Sequence, residues 1–213
     1  MKARPILFNT DMVKAVRDEA KSQTRRPLDV PAGWALEGLS GNSGALGVIK
    51  SSHPKKGKFG AFIRREIHPG CGKFEHDIIP CPFGQPGDLL YVRETFSVVP
   101  DEENGGVGQV LYLADGNQYG KNTPSIHMPR EFSRLTLEIT DVRVERLQDI
   151  DRGDCMAEGC PFPNMAVNDP IGWFSGLWDS IYGNWQANPW VWCVEFKLHH
   201  CNVDALLRER EAA

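Results

Sequence analysis

The chain has 213 residues, of which 41% are hydrophobic and 24% are charged; this composition is typical of globular proteins and excludes fibrous and disordered classes. No apolar run is long enough to span a bilayer, and the apolar part of the opening MKARPILFNT is too short for a secretory signal. We therefore expect a cytoplasmic protein without a membrane partner, whose six cysteines are mostly reduced thiols.

Charge is distributed unevenly along the chain. Residues 1–73 carry 14 Lys and Arg against 6 Asp and Glu, whereas residues 74–213 carry 10 against 22. This asymmetry predicts a positive face that suits phosphate groups. The alternative is that the fold mixes the two parts, so that their charges average out.

The first predicted element is a short helix over residues 10–20, TDMVKAVRDEA, with one apolar face and Thr10 as its cap. The basic stretch KSQTRRPL follows at residues 21–28. Pro27 excludes a continuing helix and favours an extended conformation at Arg26. The chain can therefore turn within this basic stretch.

Residues 29–80 are rich in Gly and Ser and show little periodicity, which predicts a long irregular insertion of loops and short strands. Within it, residues 50–73 hold seven basic side chains and one acidic side chain. The aromatic rings among them belong to Phe59, Phe62, His53 and His68. Such a mixture suits single-stranded nucleic acid, because bases stack and phosphates pair. A solvated loop is the alternative.

The predicted nucleic-acid contacts come from two parts of the chain. Within the insertion they are Lys55, Lys56, Lys58, Arg64 and Arg65. Outside it they are Arg25, Arg26 and Arg93.

A strand is predicted over residues 89–96, LLYVRETF, after a dense turn. Alternation places Leu90, Val92, Glu94 and Phe96 on one face. A carboxylate that shares a face with three apolar side chains must be paired or raised in pKa, because burial of a bare charge is costly. Glu94 is therefore a candidate functional residue.

The remainder of the chain predicts further strands over 110–116, 135–144 and 190–198, and short helices near 150–159 and 172–183. The alternation changes phase near Thr140–Asp141, which indicates a bulge or bend. Short strands with a few short helices predict an α+β fold, built on a small curled, barrel-like sheet. Residues 201–213 are predicted to form a charged tail that frays.

Lys21, Thr24 and Glu94 are the candidate chemical group. A threonine hydroxyl becomes a nucleophile only beside a base, and a lysine can be that base when burial or a neighbouring cation lowers its pKa. Glu94 would orient the lysine or carry a proton to a leaving amine. Spacing leaves a second reading open, in which Lys21 is a helix-end charge that pairs with Glu94.

Metal and cofactor motifs are weak in this sequence. Cys71, His76 and Cys81 are each separated by four residues, whereas structural zinc sites usually show closer pairs. The spacing does not decide whether these three side chains meet. No P-loop or Rossmann glycine pattern is present, and we predict neither a metal nor a cofactor.

Two short motifs resemble those of the ASCH domain, a branch of the PUA-like β-barrel superfamily. They are Lys21-x-x-Thr24-x-Arg26, and Gly87-Asp88 followed by YVRETF at residues 91–96. Longer stretches resemble the ASCH proteins of phages and prophages, namely KARPILFNTDMV, CPFGQPGDLLYVRETF, PSIHMPREFSRLTLEITDVRVERLQDI and WDSIYGNWQANPWVWCVEF. The resemblance covers most of the chain outside residues 29–80. It implies a single PUA-like curled β-barrel over residues 1–200, with a cleft between barrel and helix.

The resemblance also implies a function. ASCH domains are generally proposed to bind RNA, and one small bacterial branch hydrolyses the acetyl group of 4-acetylcytidine. The catalytic lysine, threonine and glutamate of that branch correspond to Lys21, Thr24 and Glu94. We therefore expect recognition of RNA or of a modified nucleotide, with hydrolysis of an N-acyl group on cytidine.

Three alternatives to this function remain open. The first is a non-catalytic module that binds single-stranded nucleic acid. The second is a ribonuclease, an activity that the resemblance also implies through another ASCH branch. The third is a phage accessory protein that binds a host protein.

Overall fold

The structure is a computed structural model, and it describes residues 1–38, 44–49, 54–162 and 169–212. The strands among these residues are β1 (Ala3–Leu7), β2 (Gln23–Pro27), β3 (Ala35–Leu36), β4 (Leu46–Val48), β5 (Phe59–Glu66), β6 (Phe74–Pro80), β7 (Leu89–Arg93), β8 (Phe96–Pro100), β9 (Val107–Tyr112), β10 (Thr136–Arg146) and β11 (Trp190–His199). The helices are α1 (Thr10–Arg17), α2 (Arg152–Ala157), α3 (Pro170–Ile181) and α4 (Val203–Ala212). The predicted α+β class is confirmed.

The chain divides into two compact units. The first comprises Met1–Ser22, Pro86–Thr140 and Phe196–Ala213, and the second comprises Gln23–Gln85 and Asp141–Glu195. Strands β10 and β11 each contribute residues to both units. The residues that the structure describes form open sheets rather than the closed barrel that the strand pattern suggested.

The first unit is built on β7. Strand β1 pairs with it in parallel, with Ala3 opposite Leu89, and β10 pairs with it antiparallel, with Thr136 opposite Tyr91. Strands β8 and β9 form a separate hairpin. Leu90, Val92, Glu94 and Phe96 are all buried, as the alternation predicts. The predicted strand over 89–96 is interrupted, however, because β7 ends at Arg93 and Phe96 begins β8, and Leu89 on the other face is buried as well.

Helix α1 ends earlier than its sequence predicts. It begins after Asn9, whose side chain accepts a hydrogen bond from the backbone N–H of Met12 at 2.8 Å, so Asn9 is the cap and not Thr10. The helix stops at Arg17, and Glu19 adopts a left-handed conformation with φ of 56°. That reversal carries the chain to Lys21, whose backbone N–H still bonds the carbonyl of Ala15 at 3.0 Å.

The C-terminal segment forms helix α4 rather than an extended charged tail. Val203 and Leu206 lie one turn apart on it and pack against Leu89 of β7. Arg210 also pairs with Glu138 of β10. The apolar residues of DALLREREAA thus form one buried face of a helix. The many charged residues of this stretch had instead favoured the prediction of a frayed tail.

The second unit holds the packed helices. Strand β2 pairs antiparallel with β11, with Thr24 opposite Val194. Helix α2 begins with a capping box between Asp151 and Asp154, and α3 begins with Pro170. Their apolar faces form a core with the strands, made of Leu147, Ile150, Cys155, Cys160, Phe174, Trp178, Val191 and Cys193.

The 29–80 insertion is more regular than predicted. Strand β5 pairs with β3, β4 and β6, and its pairing with β6 runs from Gly60 opposite Pro80 to Glu66 opposite Phe74. Ala61, Ile63 and Ile78 are buried in this sheet. Alternation was weak in the sequence because glycines and charged residues interrupt the apolar positions. Lys50 and His53 of the predicted basic segment lie outside the described residues.

Two further predictions concern strand β10 and the absence of a membrane-spanning segment. Thr140 and Asp141 are both exposed inside the unbroken strand β10, which is the predicted change of phase. Within the described part of the chain, no helix combines the length and the apolar character that crossing a membrane requires.

Two glycine substitutions test the packing of the second unit. A Cβ on Gly60 would lie 2.1 Å from the carbonyl oxygen of Ile79 and 2.8 Å from the Cα of Pro80, whereas a Cβ on Gly176 in α3 meets nothing within 4 Å. We expect Gly60→Ala to lower the free energy of unfolding by about 1–3 kcal/mol. Gly176→Ala should raise it by up to about 1 kcal/mol. Urea unfolding measures both, and equal midpoints for the two variants would contradict the β5–β6 register.

Candidate functional site

Lys21 lies just beyond α1 in the first unit. It is one of the largest fully buried side chains of the protein, with 2% of its surface exposed. Its Nζ atom is 6.0 Å from the centroid of the Phe8 ring, and Phe8 in turn packs against Phe196. Lys21 therefore lies at the end of α1 as a buried residue and not as an exposed one.

Glu94 follows β7 in the same unit, and only 1% of it is exposed. Both of its carboxylate oxygens accept hydrogen bonds from Arg134: Nε donates to Oε1 at 2.9 Å and Nη2 donates to Oε2 at 3.0 Å. Its backbone N–H contacts the sulfur of Met128 at 3.2 Å. The prediction that a buried Glu94 needs a partner is therefore met by a bidentate contact with the Arg134 guanidinium.

A wider cluster surrounds this pair. Asp115 accepts hydrogen bonds from Arg134 at 2.5 and 3.0 Å, and from Nη1 of Arg17 at 2.9 Å. The guanidinium carbon of Arg134 lies 3.9 Å from the centroid of the Tyr112 ring. We call Arg17, Glu94, Tyr112, Asp115 and Arg134 the Glu94 cluster.

The protonation of Glu94 results from two opposed effects. Burial raises the pKa of the Glu94 carboxyl above the usual range of a glutamate, and the charge and hydrogen bonds of Arg134 limit that rise. For Asp115, which is more exposed, the Arg134 hydrogen bonds dominate and lower the pKa. Carboxyl groups bound to one guanidinium thus shift in opposite directions.

Thr24 lies in β2 of the second unit and is completely buried. Its hydroxyl oxygen has no hydrogen-bond partner among the residues that the structure describes. A buried hydroxyl usually bonds a carbonyl or another side chain, because leaving it unsatisfied is costly. The Thr24 hydroxyl is therefore an unsatisfied buried polar group among the described residues.

Arg25 occupies the opposite face of β2, and its side chain has no exposed surface. Its Nη2 atom donates to Glu145 and, at 2.8 Å, to Asp154, and Nη1 lies 3.5 Å from Glu158. Phe174 covers the guanidinium at 5.9 Å. The prediction that Arg25 contacts phosphates is not supported, since carboxylates and an aromatic ring enclose it.

Arg143 extends this buried group, which we call the Arg25 cluster. It donates to Glu145 at 3.1 Å, to Asp154 at 2.8 Å and to Gln23 at 2.8 Å, and it pairs with Glu195. Burial acts to raise the pKa of Asp154, but Arg25 and Arg143 outweigh it and lower that pKa. The same surroundings raise the pKa of the Cys155 thiol to about 12, mainly by burial, so this cysteine is unsuited to nucleophilic chemistry.

The other predicted nucleic-acid contacts differ in their surroundings. Arg26 is half-buried and donates to the carbonyl of Arg25 at 3.2 Å, and Arg93 of the first unit donates to the carbonyl of Ile126. Lys55 pairs with Asp77 at 2.7 Å, and Arg65 pairs with Glu75 and covers the Trp34 ring at 4.9 Å. All four already make contacts within the protein.

Lys56, Lys58 and Arg64 are exposed, as predicted. Arg64 stacks over the Phe74 ring at 4.8 Å, and that ring is itself 41% exposed. Among the described residues, these three cations and Lys73 have no ion-pair partner. They lie along the β5–β6 hairpin and the turn before it.

Cys71, His76 and Cys81 have separate surroundings. Cys71 is exposed in the hairpin turn, His76 bonds Glu37, and Cys81 is buried. Within the described ranges, no group of three His, Cys, Asp or Glu side chains is arranged to hold a metal ion.

The predicted residues thus fall into two groups. Lys21, Glu94 and Arg93 belong to the first unit, and Thr24 with the other predicted residues belongs to the second. Sequence reasoning missed Arg134, which binds Glu94 from 40 positions away. No spacing rule links such distant positions, although a predicted buried carboxylate does indicate that some cation must meet it.

No protein-family model, no curated protein and no solved structure matches this chain.

Stability measurements test whether Arg25 is a structural residue. Arg25→Gln leaves Glu145 and Asp154 without their buried cation, and we expect it to lower the free energy of unfolding by about 3–5 kcal/mol. The exposed Lys56→Gln should change it by less than about 0.5 kcal/mol. Urea unfolding compares the two. An Arg25→Gln protein that is as stable as wild type but binds RNA more weakly would support a phosphate contact instead.

Proposed function

We propose that this protein recognises RNA or a modified nucleotide and hydrolyses an N-acyl group on cytidine, as the resemblance to ASCH domains implies. The observation that carries the proposal is the burial of the three side chains that the motifs single out: Lys21, Thr24 and Glu94 expose 2%, 0% and 1% of their surface. Lysine and glutamate are almost never fully buried unless they are paired. Buried titratable groups at motif positions are characteristic of functional sites.

The proposed reaction assigns one role to each residue. The Thr24 hydroxyl attacks the acyl carbonyl carbon and gives its proton to the neutral Lys21 amine. The bond between the carbonyl carbon and the cytosine amino nitrogen breaks. That nitrogen takes the proton held by the Lys21 ammonium, which Glu94 relays, so Lys21 is neutral again. Cytidine leaves, and water then hydrolyses the acyl-threonine ester to release a carboxylic acid and restore the hydroxyl.

Two features support this assignment. The Thr24 hydroxyl has no partner among the described residues, so a substrate meets no competing hydrogen bond. The Lys21 amine is shielded from bulk water, because the side chain is buried and lies beside the Phe8 ring. A PUA-like arrangement of the sheet and a cytoplasmic location belong to the same proposal.

Hydrolysis of acylated cytidines tests the chemistry. Wild type should release the acid from 4-acetylcytidine or from acetylated RNA. Thr24→Val, which keeps the side-chain volume, should fall to the uncatalysed rate, and Lys21→Ala and Glu94→Gln should lose about 100-fold or more in kcat. Chromatography of the nucleoside products measures the rates. Similar rates in wild type and in the folded Thr24→Val protein would refute the proposed nucleophile.

A second candidate function is single-stranded nucleic-acid binding without chemistry, and a specific surface favours it. The β5–β6 hairpin carries four cations without ion-pair partners in the described part of the chain: Lys56, Lys58, Arg64 and Lys73. Arg64 lies over the exposed ring of Phe74, an arrangement on which a base can stack. Within the hairpin turn, the Glu66 carboxylate accepts hydrogen bonds from the backbone N–H groups of Gly70 and Gly72 at 2.9 and 2.8 Å.

The salt dependence of RNA binding tests this surface. Changing its four cations to Gln should reduce the slope of log K against log salt by up to about 3, since each phosphate contact on a single strand contributes about 0.7. The control carries the same change of charge at four exposed cations of the first unit: Lys2, Lys121, Lys197 and Arg208. Equal slopes for the two variants would argue against the hairpin surface. Cleavage of the RNA strand during the measurement would indicate a ribonuclease.

A further inference from the structure

We propose that Arg134 is the positioning residue of Glu94, and that it sets both the orientation and the charge of this carboxylate. The inference deepens the proposed function and rests on it for the catalytic consequence. Its geometric basis lies entirely within the first unit. Arg134 touches no reacting atom in this proposal and acts only through Glu94.

The geometry of the pair restricts Glu94 to one orientation. Arg134 binds each carboxylate oxygen with a different nitrogen, at 2.9 and 3.0 Å. Two parallel hydrogen bonds prevent rotation of the carboxylate about its last bond, which a single bond would allow. A lysine at this position would supply charge without this restraint.

The guanidinium is itself held in place by the rest of the Glu94 cluster. Asp115 binds its two terminal nitrogens, and the Tyr112 ring lies 3.9 Å from its central carbon. The Tyr112 hydroxyl donates to the carbonyl of Phe132 at 2.8 Å, which fixes the ring in turn. Because Glu94 and Asp115 occupy four of its hydrogen-bonding directions, Arg134 is poorly suited to bind a substrate phosphate.

The cluster also connects Glu94 to helix α1. Arg17, in the last turn of that helix, donates to Asp115 at 2.9 Å and contacts the carbonyl of Ala114 at 3.4 Å. Lys21 follows the same helix four residues later. The segment that leads to the proposed base is therefore tied, through Asp115 and Arg134, to the carboxylate that acts with it.

The groups around Glu94 act on the pKa of its carboxyl. The charged or titratable groups that face Glu94 are Arg134, Asp115, Arg17 and Tyr112. Glu94 is the buried member of this group, whereas the side chains of Arg134, Asp115 and Arg17 are partly exposed. Burial raises the pKa of Glu94 and Arg134 limits the rise, so loss of the guanidinium leaves the burial effect unopposed.

A direct titration tests this inference without any need for activity. The carboxyl carbon of Glu94 is followed by NMR in protein labelled with ¹³C-glutamate, and the signal is assigned by its absence in Glu94→Gln. Arg134→Gln should raise the pKa of Glu94 by about one to three units. The matched control is Arg130→Gln, which removes an arginine that pairs with Asp204 and covers Tyr91, away from the cluster. It should leave the titration unchanged. An unchanged pKa in folded Arg134→Gln would overturn the inference.

Kinetics provide the second readout. In Arg134→Gln, kcat should fall about 10- to 100-fold with little change in KM, because a misplaced catalytic group affects the transition state more than binding. The pH profile of kcat should contain one limb that is due to Glu94 and is therefore absent in Glu94→Gln. In Arg134→Gln this limb should move to higher pH. A rise in KM with an unchanged kcat would instead make Arg134 a substrate-binding residue, and would overturn the positioning role.

A third variant covers failure of Arg134→Gln to fold. Arg134→Lys keeps the charge and loses the two-pronged contact, so it should show a smaller pKa shift and retain most of the loss in kcat. A wild-type kcat in this variant would overturn the orienting role. Failure of wild type to hydrolyse any acylated cytidine would contradict the proposed function, whereas the NMR titration would still decide whether Arg134 controls Glu94.

Discussion

The burial of charged side chains is the constraint on which both units depend. Each unit buries one charged side chain and pairs it with opposite charges: Glu94 with Arg134 in the first, and Arg25 with Glu145 and Asp154 in the second. Such burial is tolerated only when the partners are close and well aligned. The strands and helices that supply these partners must therefore keep their register, because a shift by one residue would leave a bare charge in the interior.

The two clusters differ in what they leave available. In the Arg25 cluster the carboxylates bind two arginines, and α2 and α3 pack beside it, which indicates a role in holding the second unit together. The Glu94 cluster instead holds a single buried carboxylate whose pKa burial raises. The two clusters therefore differ in which charge is buried: a carboxylate in the first unit and a guanidinium in the second.

The cations of the 29–80 segment show how pairing decides which side chains can serve a ligand. Lys55 and Arg65 bind carboxylates of β6, and this contributes to the sheet rather than to recognition. Lys56, Lys58, Arg64 and Lys73 have no ion-pair partner in the described part of the chain, and the exposed Phe74 ring lies beside Arg64. The segment thus holds both paired and unpaired cations, which its composition alone does not separate.

The sequence by itself determined the local features of this protein. Helical spacing located α1, α2 and α3, alternation placed Glu94 on a buried face, and a change of phase marked Thr140–Asp141 in β10. These features depend on neighbours within a few residues, so a linear pattern records them. The tertiary structure alone decided that Arg134 meets Glu94, that Arg25 is enclosed by carboxylates, that the 29–80 segment forms a regular sheet and that the last residues pack as α4. Each of these outcomes depends on contacts between residues far apart in the chain. The spacing of residues along a short stretch of sequence does not show which distant residues will meet.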